Sequence, residues 1–194
     1  MYLPNYKNSY KHATMKNQKL HVITGGPGVG KTTLLNYLDS RGFTTVPEDA
    51  REIIKNQVKI DGDGLPWKNK ILYAQLMLKA AIDSYDRVVK QTSADIVFFD
   101  RGILDIVCYM DMENIPIQDD LNMLVNLHPY QSKVFILPPW EEIYETDNER
   151  KQTWDEAVFT FVKMKETYLK YGYDIIEVPK CSVEERGRFV LDCI

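Results

Sequence analysis

Hydrophobic and polar positions fall into blocks along the chain, and the period changes from block to block. Leu20-His-Val-Ile-Thr24 is a short apolar run that stops at glycines, and beyond them Leu34, Leu35 and Leu38 recur at helical spacing within Thr32 to Leu38. The order this predicts is strand, Gly-rich turn, helix. Gly42, after Ser40-Arg41, suits a helix C-cap, and Phe43-Thr-Thr-Val46 has the β-branched content of a second strand that Pro47-Glu48-Asp49 stops. A polar helix carrying Arg51, Ile53 and Ile54 follows from Ala50, and Asp61-Gly-Asp-Gly-Leu-Pro66 breaks it.

Ile71, Ala74, Leu78, Ala81, Ile82, Tyr85 and Val88 then recur at spacings of three and four, predicting the longest helix from Trp67 to Lys90 with one face on a core. Ala94-Asp-Ile-Val-Phe-Phe99 contains too continuous an apolar stretch for a one-faced strand, so a central strand covered on both sides is expected, ending at Asp100-Arg101-Gly102. Lys133-Val-Phe-Ile-Leu137 and Tyr173-Asp-Ile-Ile-Glu-Val178 are further strands. Between them lies a helix with Trp154, Ala157, Val158, Phe161, Met164 and Tyr168 on one face, and Glu184 to Cys193 closes the chain as a helix. Strands alternating with helices predict a three-layer α/β/α domain on a five-stranded parallel sheet, with ligands at the carboxyl ends of the strands.

Composition narrows this picture. At 194 residues a single domain, 19–194, is expected, preceded by a flexible extension over 1–18 in which Met15 is an alternative start. The net charge of −4 offers no field for a polyanion, so no nucleic-acid partner is expected. No apolar run is long enough to span a bilayer, and the polar start lacks a signal-peptide core, so no membrane association is expected. Cys108, Cys181 and Cys193 form no CxxC pair, which suits reduced thiols and a cytoplasmic monomer or homodimer.

The glycine turn carries the most specific chemistry. Gly25-x-x-x-x-Gly30-Lys31-Thr32 fits the phosphate-loop pattern and has a strand before it and a helix after it. Gly25, Gly26, Gly28 and Gly30, with Pro27 and Val29 between them, would wrap a phosphate with inward-pointing backbone N–H groups. Lys31 suits the β and γ phosphates, the Thr32 hydroxyl Mg²⁺, and Thr33 the α phosphate, at a helix N-terminus that favours anions. ATP and Mg²⁺ are the expected ligands.

Asp100, at the end of a buried strand, suits Mg²⁺, or alternatively caps the segment that starts at Gly102. Arg101 suits transferring phosphate oxygens, or a surface ion pair. Glu48 would accept a proton from a substrate hydroxyl, or cap the helix of Arg51. Arg51 would bind an anionic acceptor or position Glu48, and Trp67, Asp105 and Tyr109 are further candidate acceptor contacts near the crevice. The polar stretch from Trp140 to Lys151 would close over phosphates with Arg150 and Lys151. His12, His21 and His128 have no metal-ligand spacing.

With Ile23-Thr-Gly-Gly-Pro-Gly-Val-Gly-Lys-Thr-Thr33, Val46-Pro-Glu-Asp-Ala-Arg51, Phe98-Phe-Asp-Arg-Gly-Ile-Leu-Asp105, Pro138-Pro-Trp-Glu-Glu-Ile-Tyr144 and Glu177-Val-Pro179, the chain resembles the AAA_28-type P-loop ATPase/kinase family. That family is related to nicotinamide riboside kinase domains and, more distantly, to deoxynucleoside and thymidylate kinases. The resemblance implies a base at Glu48, a Mg²⁺ and phosphate pair at Asp100 and Arg101, a lid over 140–153 with Arg150, and an adenine seat from Pro179 to Val183. Nothing reads as the Asn-Lys-x-Asp guanine signature; Asn69-Lys70-Ile71-Leu72 lacks the Asp, so a regulatory GTPase is not expected. Nor is a helical lid domain of a mechanical AAA+ ring ATPase. The function expected is transfer of the ATP γ-phosphoryl group to a small nucleoside- or nucleotide-like acceptor. The alternative is an ATPase or nucleotide-dependent regulatory module without such an acceptor.

Overall fold

A computed structural model of the chain describes residues 19–91, 94–117, 119–143 and 153–194. The expected extension 1–18, and Arg150 and Lys151 of the expected lid, lie outside the described residues. The elements run β1 (Lys19–Gly25), α1 (Lys31–Ser40), β2 (Thr44–Val46), α2 (Ala50–Lys59), α3 (Lys70–Gln91), β3 (Ile96–Asp100), α4 (Ile103–Met112), α5 (Asp119–Leu127), β4 (Lys133–Leu137), α6 (Trp154–Lys170), β5 (Asp174–Glu177) and α7 (Val183–Asp192), with a short 3₁₀ turn at Glu141–Ile143.

The five strands form one parallel sheet in the order β2-β3-β1-β4-β5. Strand β1 is central and buried from Leu20 to Gly25, because helices cover both faces and alternate side chains enter different cores. Val22 and Val134 point toward α3, α4 and α6, where Leu78, Ile82, Leu104, Val107 and Tyr168 pack on them. Ile23, Phe98 and Phe135 point the other way, toward Leu34 and Leu38 of α1 and Val190 of α7. Glycine supplies the stop after α1: Gly42, at φ 90, donates its N–H to the carbonyl of Asp39. Helices α6 and α7 start at capping boxes, Thr153 with Glu156 and Ser182 with Glu185.

Several expectations shift. The longest helix starts at Lys70 rather than Trp67, because the Asn69 carboxamide accepts the Leu72 N–H and ends the preceding turn. Ile71 is 50% exposed and Val158 38%, so both leave the apolar faces assigned to them; Tyr73 and Thr160 are buried instead. Helix α5 carried no expectation, and α4 only as the segment after Gly102. Among the described residues no helix is long and apolar enough to cross a membrane, and all three cysteines are free.

Candidate active site

The loop between β1 and α1 has positions that only glycine occupies without strain. Gly25 has φ 143, and a Cβ there would stand 2.7 Å from the Leu137 carbonyl oxygen. Gly30 has φ 85 and is the N-cap of α1, where a side chain would collide with Arg186. Lys31 is 7% exposed and its ammonium donates to the carbonyls of Gly25 (3.0 Å) and Gly26 (2.9 Å), tying the loop to the helix that follows. Burial, helped by the charge of Arg101, pulls its pKa down to about 8, against the attraction of Asp100, Glu48 and Asp105. Thr32 and Thr33 are exposed on the first turn of α1.

Parallel pairing sets the second group beside this loop. Ile23 of β1 stands opposite Asp100 of β3, so the end of β3 emerges one residue before Thr24 and the glycines. Asp100 does not cap α4: the N-cap is Gly102, and the Gly102 N–H is taken by Asp105 at 2.8 Å. Asp100 Oδ1 is buried with no partner, and burial raises its pKa against the pull of Lys31. An orphaned carboxylate oxygen at the end of the strand beside the phosphate loop fits Mg²⁺, which takes few protein ligands and keeps water and phosphate oxygens. Among the described residues no group of three His, Cys, Asp or Glu side chains is placed to hold a metal.

Arg101 follows with φ 71, a left-handed conformation that costs a non-glycine residue roughly 1–3 kcal/mol. Three bonds hold it there: its N–H donates to the Ile23 carbonyl (2.9 Å), Nε to Glu48 (2.9 Å) and Nη1 to Asp105 (3.3 Å). The ion pair is thus mostly buried rather than a surface one, and Glu48 caps nothing, the N-cap of α2 being Asp49. Burial works against ionising Glu48, but the charges of Arg101 and Lys31 and the Arg101 hydrogen bond bring its pKa below the ordinary value.

Asp105, expected as an acceptor contact, supports Arg101 and also lines the adjoining cavity. Its two oxygens accept from Thr24, Arg101, the Gly102 N–H and Tyr168, so its polar capacity is spent inside the protein. Thr24 and Tyr168 escaped the sequence reading because their function is to orient Asp105 across the fold, which no local pattern reveals.

A cavity of about 410 Å³ opens next to this network, and Pro27, Glu48, Asp100 and Arg101 form part of its wall. Tyr73, Met77, Phe99, Tyr109 and Tyr130 are among its apolar lining residues. Tyr73 and Tyr109 meet edge to face at 5.7 Å, and the Tyr109 hydroxyl is buried without a partner. Of the other expected acceptor contacts, Trp67 is 67% exposed and outside the lining, where its neighbour Pro66 takes part. Arg51 is exposed and also outside the lining; its charge helps to keep Glu48 ionised. Pro179 is exposed just past β5.

The family model that matches this chain, described as an AAA domain, covers residues 20–186. The chain belongs to the AAA_28 family. Among curated proteins this AAA-domain chain is 30% identical over 116 residues to the tRNA modification GTPase MnmE of Neorickettsia sennetsu, covering 55% of the chain and 20% of that protein. A second MnmE, from Brucella anthropi, is 38% identical over 68 residues, covering 33% and 15%. The chain therefore spans only a fifth or less of these relatives' lengths.

Solved structures share the AAA_28 chain's fold over most of its length. The NadR protein in complex with NR superposes with TM-score 0.67 at 20% identity, covering 90% of this chain and 50% of that one. Deoxyadenosine kinase from M. mycoides with bound dATP gives 0.57 at 16%, covering 90% and 98%. Shikimate kinase from Acinetobacter baumannii gives 0.55 at 12%, covering 91% and 92%. The shared architecture is the P-loop α/β fold of small kinases.

Proposed function

We propose that this chain is an ATP-dependent small-molecule kinase, transferring the γ-phosphoryl group to the hydroxyl of a nucleoside-like acceptor held in the aromatic cavity. The observation that carries the reading is the shared wall: the cavity uses Pro27 of the phosphate loop together with Glu48, Asp100 and Arg101, so a molecule inside it lies against the phosphate site. A simple nucleotide switch needs no largely apolar cavity there. Fold neighbours that carry NR, or NAD and AMP-PNP, support a ring-bearing acceptor beside a triphosphate. ATP is preferred to GTP because the chain lacks an Asn-Lys-x-Asp signature.

Phosphoryl transfer asks the protein mainly to position groups and stabilise charge. The loop amides and Lys31 would hold the phosphates, and Arg101, fixed in direction by Glu48 and Asp105, would face the transferred group. Glu48 is ionised at neutral pH, so it would accept the acceptor hydroxyl's hydrogen bond and take its proton late in a loose transition state. Thr32 and Asp100 would hold Mg²⁺, which when bound supplies charge neutralisation on the β and γ oxygens. The free cysteines suit a reducing compartment.

A coupled ADP-release assay with Mg-ATP, with and without nucleosides, nucleotides and pyridine ribosides, tests this directly. One compound should raise the rate sharply. Glu48→Gln should then lower transfer by about 10²–10⁴-fold while ATP still binds. A slow rate indifferent to every compound and to Glu48→Gln would instead indicate an ATPase module, and full turnover in Lys31→Ala would sink both readings.

A further inference from the structure

The flank of β1 away from the acceptor cavity holds a charge without a partner. Arg186 lies in the first turn of α7 and is 6% exposed, yet its Nε and Nη1 atoms are buried with no hydrogen bond. Its guanidinium carbon lies 5.6 Å from the centroid of the Trp140 ring, three residues beyond β4. On the loop side, Nη1 stands 2.7 Å from where a Cβ on Gly30 would be. The guanidinium is thus wedged between an indole and the backbone that starts α1, its plane fixed and its donors unspent. A buried ion with unmet donors is costly, and such a group marks a place that a ligand completes. Two N–H donors on one cation select an anionic oxygen.

Strand order tells which part of a nucleotide arrives there. With β2 and β3 on one side of β1 and β4 and β5 on the other, the γ-phosphate must face Asp100 and Arg101, next to the acceptor cavity. The phosphate chain then crosses the loop toward the β4–β5 side, where Trp140 and Arg186 stand. We infer that Arg186 is a nucleotide-binding residue, its unpartnered N–H donors on Nε and Nη1 turned to oxygens of the nucleoside-proximal phosphate while Trp140 and the Gly30 backbone hold the guanidinium plane. This rests on reading the loop as a nucleotide site. The contact would serve ADP and ATP alike, unlike Lys31 and Arg101, which face the transferred end. The signal in the sequence was an arginine on the inner stripe of the last helix, four residues before the buried Val190.

The test is calorimetric titration of the full chain with Mg-ADP and Mg-ATP, alongside thermal melting without nucleotide, for wild type, Arg186→Met and Arg186→Lys. Arg186→Met should melt at the same temperature as wild type or higher, since it removes an unpaired buried charge. Its affinities for both nucleotides should fall by the same factor, about tenfold or more. Arg186→Lys should lose severalfold, because an ammonium cannot reproduce the planar, spread N–H donors of a guanidinium. Should Arg186→Met fail to fold, the lysine variant decides, and wild-type affinity in it overturns the assignment. A lower melting temperature with unchanged affinity in Arg186→Met means a structural arginine and overturns it too. A wild-type chain that bound neither nucleotide would instead overturn the nucleotide reading of the loop, and this assignment with it.

Discussion

The two flanks of β1 manage buried charge in opposite ways. On the β3 side, Arg101 is matched by Glu48 and Asp105, and Asp105 by Thr24, Gly102 and Tyr168, so nearly every donor there meets an acceptor within the protein. On the β4 side, Arg186 has packing on both faces and no acceptor for Nε or Nη1. A satisfied network fixes geometry and contributes to stability, whereas an unsatisfied ion contributes nothing until something binds. The difference separates residues that shape the site from residues that wait for its occupant. Asp100, with one buried oxygen unpartnered, belongs with Arg186 although it sits on the first flank.

The largest expected effect is on the satisfied side. Asp105→Asn leaves Arg101 and the Tyr168 hydroxyl in a buried network that no longer balances, and should cost about 3 kcal/mol of unfolding free energy, measurable by urea denaturation. Equal stability in Asp105→Asn and wild type would erase the contrast with Arg186→Met.

A smaller effect concerns pH and Lys31. Its folded-state pKa is lowered from 10.5 to about 8, so between those values the unfolded chain binds more protons and ligand-free stability rises with pH. Phosphate binding favours the ammonium, so nucleotide affinity should decline as pH rises above about 8, with proton uptake on binding. Titrations in buffers of different ionisation enthalpy would show that uptake; affinity flat from pH 7 to 9.5 would contradict it.

The smallest effect is a control away from both flanks. His21, 3% exposed, has both ring nitrogens unpartnered between Phe98 and Phe135, and burial, with Lys19 and Lys133 adding, lowers its pKa from 6.5 to about 4. The unfolded histidine takes a proton below pH 6.5 while the folded one stays neutral to about 4, so stability is lost as pH falls through that window. The loss is about 2 kcal/mol by pH 5 and falls mainly below the working pH of most assays. His21→Leu should flatten that acid slope and leave nucleotide affinity unchanged, as melting curves at pH 4.5 and 7 would report.

How much could be read in advance differed with the kind of element. β4 matched its expected bounds residue for residue, and α1 and α2 came close, because continuous apolar runs, helical spacing and caps are local signals. The stripe on α3 was legible in Ala74, Leu78, Ile82 and Tyr85 but not in the exposure of Ile71, where Tyr73 instead turns inward against Tyr109. Trp67, expected at the crevice end of its helix, lies instead ahead of that helix, 67% exposed.

Sequence alone determined the phosphate loop, because its chemistry lies in the backbone of consecutive residues: glycines at positive φ, a lysine and a hydroxyl at a helix start need no distant partner to be recognised. It also placed Glu48, Asp100 and Arg101 at strand ends, which topology carries to one edge. Only the tertiary structure decided that Asp105 supports Arg101, that Tyr73 and Tyr109 wall a cavity, and that Arg186 stands unpaired behind Gly30. Those roles depend on side chains meeting across separations such as the 81 residues between Thr24 and Asp105 or the 63 between Asp105 and Tyr168. A local pattern carries no record of such meetings, which packing of the two helical layers on the sheet brings about.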